Sequence, residues 1–169
     1  MMKNKNEVPI EVQDDAVFQK VSKSNSQEPW KVAIIDDEPM LRELLEEIIS
    51  DLGYQTACFP NAILALAELT RQPAIETERG AGSETVTYEK NWFDIIVSDV
   101  KMPGMSGMEF YEQVDAMDAN QAARIIFVTG DRHNTSVQDF FARTGNLWLE
   151  KPFRRADLKT VLDALRLRC

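Results

Sequence analysis

The sequence predicts an α/β domain, a parallel sheet with helices on both faces. Three observations carry this. From Trp30 onward, short apolar runs alternate with stretches of helical periodicity. The runs "KVAIID", "FDIIVSDV" and "RIIFVTG" are nearly continuous, as strands buried on both faces require. Helix start and stop signals stand at the joints between the two kinds of segment.

The elements follow in order. "KVAIID" is the first strand, and Pro39 suits the first turn of the helix behind it. That helix carries Leu41, Leu44, Leu45 and Ile48 at helical spacing, and Gly53 stands where it should stop. "QTACF" reads as the second strand. Asn61 can cap a helix bearing Ile63, Leu64, Leu66 and Leu69. "FDIIVSDV" (93–100) is the third strand and "KMPGMSG" a turn. Ser106 and Glu109 form a capping box for the next helix. "RIIFVTG" (124–130) is the fourth strand, and "NTSVQDFFARTG" a short helix ending near Gly145. "LWLE" is the fifth strand. "RADLKTVLDALRL" closes the pattern, with Leu158, Val161, Leu162 and Leu165 on one face.

Two segments stand outside this pattern. Residues 1–29 are polar and read as a flexible arm, in which "DAVFQKV" has the makings of one or two helical turns. Residues 71–92 hold Pro, Gly and many charges and read as an insertion, either a hairpin or a loop, between the second helix and the third strand. The domain proper is expected over 30–169.

The 169 residues suffice for one domain with a proper core. The net charge is −9, from 28 acids against 19 bases, which disfavours contact with a phosphate backbone and so direct nucleic-acid binding. No uncharged apolar run approaches the ~18 residues needed to span a bilayer. The opening "MMKNKNEVPIEVQDD" has no apolar signal core. The two cysteines, Cys58 and Cys169, lack metal-ligand spacing. A reduced cytoplasmic protein is the simplest reading, with Cys58 a small core residue.

In a sheet of this kind the working site lies beyond the carboxyl ends of the strands. Strand one ends at Asp36-Asp37, strand three at Asp99, strand four at Thr129, and Lys151 follows strand five. Three carboxylates repel one another if nothing offsets them. Mg²⁺ takes oxygen ligands, typically one or two carboxylates plus waters and a phosphate oxygen, so the acids read as a metal cup. A carboxylate can accept a phosphoryl group, and Asp99 is placed to do so. Lys151 adds positive charge, and the Thr129 hydroxyl can donate to a phosphoryl oxygen. Taken singly, the acids could be solvated turn residues and Thr129 a plain strand end. Glu38 reads as an exposed first-turn residue favoured by the helix dipole, not a ligand. His133, the one histidine, reads as exposed.

"IIDDEP", "VSDVKMPGMSG", "FVTGD" and "LEKPF", in this order, resemble the receiver domain of two-component response regulators over roughly residues 31–168. The resemblance implies a flavodoxin-like sheet of order 2-1-3-4-5. It implies that Asp99 is the phosphoacceptor and that Asp36, Asp37 and the Lys101 backbone carbonyl join Asp99 in holding Mg²⁺. Thr129 and Lys151 become the phosphate-sensing pair. Trp148 stands where the family usually has a Tyr or Phe switch residue, and Lys151-Pro152 is the family's cis peptide position. The implied partners are a histidine kinase or histidine phosphotransfer protein, and a downstream protein on the face made by the fourth and fifth helices and the fifth strand. Such a protein is a phosphorylation-controlled switch, not an enzyme beyond its own phosphoryl transfer and slow autodephosphorylation. With no output domain after the last helix, the expectation is a single-domain regulator or relay component. The alternative is a receiver from a hybrid histidine kinase or larger regulator. A phosphatase with an Asp nucleophile would want a second acid two residues after Asp99, where Lys101 stands. A pseudo-receiver would not need the intact acids, Thr129 and Lys151.

Overall fold

The computed structural model describes residues 29–71 and 93–168. The expectations of an arm, of helical turns in "DAVFQKV" and of a hairpin or loop in the insertion therefore fall, apart from a few edge residues, outside the described residues.

Five strands form one wholly parallel sheet: β1 (Lys31–Ile35), β2 (Gln55–Phe59), β3 (Ile95–Asp99), β4 (Ile125–Thr129) and β5 (Trp148–Glu150). Their order is β2-β1-β3-β4-β5, as expected, so β2 and β5 are the edges. The helices are α1 (Pro39–Asp51), α2 (Ala62–Thr70), α3 (Gly107–Met117), α4 (Ala119–Ala122), α5 (Thr135–Thr144) and α6 (Arg155–Arg166). The extra one is α4, a single turn that the sequence reading did not include. The Asp118 carboxylate accepts from the Asn120 and Gln121 amides to start it. Gln121 Nε2 then donates to the Phe93 carbonyl, pinning that turn to the entrance of β3.

Side chains alternate between the faces of each strand, so the sheet has two cores. Val32 and Ile34 of β1, Ile95 and Val97 of β3 and Leu149 of β5 pack with Leu45, Ile48 and Ile49 of α1 and Leu158, Leu162 and Leu165 of α6. Ala33 and Ile35, Ile96 and Phe127 face the other way, against Ala62 and Ala65 of α2, Phe110 and Val114 of α3 and Phe140 of α5. The alternation carries on past the strand ends. Asp36, Asp99 and Lys151 share the parity of the α1/α6 side, whereas Thr129 and Trp148 share that of Phe127.

The chemistry of the joints explains the chain reversals. Pro39 opens α1 at its first position. Gly53 follows α1 at φ +90°, a conformation costly for any residue with a Cβ. Asn61 caps α2 by accepting from the Leu64 amide, and Gly145 ends α5 in the left-handed region. The Lys151-Pro152 peptide is cis. The structure settles the buried faces of two helices and corrects one expectation, that of Cys58 as a core residue. α2 buries Ala62 and Ala65, while Ile63 and Leu64 stay half exposed, because "AILALAELT" is apolar nearly all round and its period does not select a face. Leu44 of α1 also stays about half exposed, and Ile49 is buried with Leu45 and Ile48. Cys58 is only partly buried, since β2 is an edge strand. Burial, and secondarily the Glu46 carboxylate, push its thiol up to about 11.

The Ser106 hydroxyl accepts from the Glu109 amide while the Glu109 carboxylate accepts from the Ser106 amide, closing the expected capping box at α3. Ser106→Ala is expected to destabilise the domain by about 1 kcal/mol. The urea midpoint should fall with an unchanged slope.

Candidate functional site

Parallel strands deliver their carboxyl ends to one edge of the sheet, and the buried polar groups gather there. Asp36, just past β1, is fully buried, and Asp99, at the end of β3, is nearly so. Charges taken this far from water need a partner. Lys151 supplies it from beyond β5. Its Nζ lies 3.2 Å from Asp36 Oδ2 and 3.1 Å from Asp99 Oδ1, with Glu38 Oε1 at 4.0 Å on the outer side. Asp36 is further held by the Glu38 amide, which donates to Oδ1 at 2.8 Å, and its backbone carbonyl accepts from Arg42 at 2.6 Å.

The pKa directions follow from this packing. Burial pushes the Asp99 carboxyl above its ordinary value. The Lys151 ammonium pulls it back only in part, and the Asp36 carboxylate adds to the rise. Burial works against the Lys151 ammonium, but Asp99 and Asp36 outweigh it and hold its pKa above the usual lysine range.

The backbone of Asp99 is also fixed. The Ser98 hydroxyl donates to its carbonyl at 3.0 Å. The start of α3 packs against the same carbonyl so closely that a Cβ on Gly107 would lie 2.2 Å from it. Any side chain at 107 would therefore push α3 off the acid-bearing strand end.

Of the residues expected from sequence, the structure brings together Asp36, Asp99 and Lys151. Asp37 stands beside them at the half-buried rim. Among the described residues no three acidic, histidine or cysteine side chains converge on one point as a metal cage. Thr129 is buried at the end of β4, and its hydroxyl accepts from the Asp131 amide at 3.1 Å. Trp148 is 38% exposed and stacks on Phe141, ring centroids 5.6 Å apart and planes 4° from parallel. His133 and Glu38 are exposed, as expected; Glu38 is the N-cap residue of α1 rather than a first-turn one. Sequence reasoning missed Gly107 and the ion pair between Lys101 Nζ and Asp131. Both lie in quoted motifs, as the last residues of "VSDVKMPGMSG" and "FVTGD", but nothing in the sequence shows what they touch.

Residues 32–163 match the family model described as the response regulator receiver domain, and the chain belongs to that family. It is 26% identical to the chemotaxis protein CheY-3 of Vibrio cholerae, over 80% of this chain and 90% of that protein. It is 28% identical to sporulation initiation phosphotransferase F of Bacillus subtilis, with the same two coverages. Among solved structures it resembles Vibrio cholerae CheY4, at 26% identity and a TM-score of 0.62, covering 82% of this chain and 99% of that one. It also resembles TrrA of Thermotoga maritima, solved in complex with Mg²⁺ and beryllofluoride, at 25% identity and a TM-score of 0.59, covering 80% and 98%. Receiver domains are switch proteins that work with histidine kinases or phosphotransfer proteins.

A carboxyl whose folded pKa lies above its unfolded one costs stability when ionised, and that cost disappears as pH falls through the folded value. In chelator at pH 7, Asp99→Asn is therefore expected to melt about 2–5 °C above wild type. The gap should narrow as pH falls through the folded-state value towards the unfolded one. Paired thermal melts across that range measure it.

Proposed function

We propose that this protein is a phosphoacceptor switch of a two-component or phosphorelay system, with Asp99 as the acceptor. The observation that carries the reading is the Lys151 ammonium within 3.2 Å of two buried carboxylates at the ends of β1 and β3. A buried anion with a cation already at hand is equipped to carry the further negative charge of a phosphoryl group. The donor is a phosphohistidine on a kinase or phosphotransfer partner. An Asp99 carboxylate oxygen attacks phosphorus, the P–N bond breaks, and the electron pair returns to the imidazole, which takes up a proton. The product on the chain is an acyl phosphate.

The oxygen set of Asp36, Asp37, Asp99 and the Lys101 carbonyl fits Mg²⁺, which keeps several waters and needs no all-protein cage. That the buried pair already draws in a cation, Lys151, supports positive charge being favourable at this spot. When bound, Mg²⁺ would neutralise charge that develops on the phosphoryl oxygens. Asp36 and Asp37 hold this charge in place, Lys151 neutralises the phosphoryl group from the β5 side, and Thr129 turns its hydroxyl towards it. Trp148 then reports the change at the face made by α5, β5 and α6, where a downstream protein binds. The change is a shift between conformations that already exist, biased by the new contacts.

The high coverage of CheY-3 and of the sporulation phosphotransferase supports a single-domain regulator or relay component, and a cytoplasmic location is part of the same proposal. A receiver within a larger regulator is the second reading. It is favoured by 32% identity to the transcriptional regulator DctD of Pseudomonas aeruginosa, of which this chain spans 26%. The arm over 1–29 and the insertion over 71–92 stay part of the proposed division of the chain.

With Mg²⁺ and a small phosphodonor, the protein should be labelled stoichiometrically, and Asp99→Asn should abolish the label. Full labelling of that variant would refute the assignment. Mg²⁺ at ten times its Kd should stabilise the fold by about 1.4 kcal/mol. Asp37→Asn should melt higher than wild type in chelator and respond less to Mg²⁺. A lower melt with a full Mg²⁺ response would make the acids structural.

A further inference from the structure

Lys101 and Asp131 sit in equivalent places, each two residues beyond a group assigned to the chemistry, Asp99 on β3 and Thr129 on β4. The two strands are neighbours, so the loops that follow them run side by side. The Lys101 ammonium and the Asp131 carboxylate form a direct ion pair across the gap. A hydrogen bond from Lys101 is also the first cause holding the Asp131 carboxyl below its ordinary value.

The same residue, Asp131, controls the Thr129 hydroxyl. Its backbone amide donates to Thr129 Oγ1 at 3.1 Å. Its carbonyl accepts from the Asn134 amide at 3.2 Å, closing the turn from which α5 starts, and Asn134 caps that helix. α5 in turn carries Phe141, on which Trp148 stacks. Clamping Asp131 therefore fixes three things at once: the orientation of Thr129, the start of α5 and the seat of Trp148.

We propose that the Lys101–Asp131 ion pair is a latch on the resting state, holding the β4–α5 loop so that Thr129 faces the Asp131 amide instead of Asp99. Lys101 and Asp131 are positioning residues that set the threshold for switching. The proposal rests on Asp99 being the phosphoacceptor and adds what restrains the response. The pair is exposed, with side-chain accessibilities of 64% and 38%, so its weight is modest and sensitive to salt. A single exposed pair shifts an equilibrium by about two- to fivefold.

Charge alone argues the other way. Removing a cation beside an anion site should weaken anion binding, whereas releasing a latch should strengthen it. The sign of one substitution thus separates the two. Full-length wild type, Lys101→Met and Lys101→Arg are titrated with beryllofluoride at saturating Mg²⁺ and followed by ¹⁹F NMR. In parallel, exchange of the Asp131 amide is followed without metal. Lys101→Met should bind about two- to fivefold more tightly at low salt. Lys101→Arg, which keeps the ion pair, should behave as wild type, and the difference should vanish in about 1 M salt. The Asp131 amide should exchange faster in Lys101→Met by a similar factor. Equal or weaker binding by Lys101→Met, or unchanged exchange, overturns the latch. Wild type that takes up no beryllofluoride overturns the phosphoacceptor reading itself, and with it any threshold for the latch to set. That outcome is distinct from wild type that binds normally and a Met variant that does not gain.

Discussion

The site depends on one arrangement, a single ammonium shared by two buried carboxylates. Asp36 and Asp99 come from adjacent strands, and parallel pairing forces their ends into the same few ångströms. Without Lys151, two negative charges would face each other with little water to screen them. With it, one positive charge serves both, and the site is still left with excess negative charge. Burial is the main reason the Asp99 carboxyl is raised, with the Asp36 carboxylate adding to it, and the two carboxylates together hold the Lys151 ammonium up against its own burial. The rest of the architecture meets the demand the imbalance makes. β5 must run beside β4 to deliver Lys151, and α3 must press on the Asp99 carbonyl to fix the strand end. Such a site is stable enough to fold but gains from any further positive charge that enters.

Much of this was legible in the sequence, for a definite reason. Continuous apolar runs that each end in a polar residue mark both the strand and its working end. Asp36, Asp99, Thr129 and Lys151 could be placed at one edge from the sequence pattern alone. Local chemistry was equally readable at Pro39, Asn61, Ser106 with Glu109, and Gly145, because each acts within a few residues of itself. The less legible features depend on partners far along the chain. The face of α2 could not be chosen, since a stretch apolar all round has no period to read. A helix as short as α4 has none either. Gly107 matters because of the Asp99 carbonyl, and Asp131 because of Lys101, 30 residues away. Neither relation leaves a mark on the local sequence.

The structure also orders the roles of the aromatic residues. Phe127 is buried on β4, two positions before Thr129, and meets Phe140 and Phe141 of α5 edge-on or tilted. Trp148, on the edge strand, extends this cluster to the surface by stacking on Phe141. A displacement of Thr129 is therefore one strand turn from a continuous aromatic array that ends in solvent. Close packing makes such an array move between discrete arrangements instead of deforming smoothly.

The alternation of side chains along the strands has a consequence for how such a protein can change over time. Charge handling lies on the α1/α6 parity, with Asp36, Asp99 and Lys151. The hydroxyl and the aromatic array lie on the other. Under the proposed function, a substitution at the exposed end of the array, Trp148, alters the surface offered to a downstream protein without entering the acidic cluster. The outward end of the array is therefore free to vary separately from the acids. Descendants of one gene can thus acquire new listeners while retaining the same way of being spoken to.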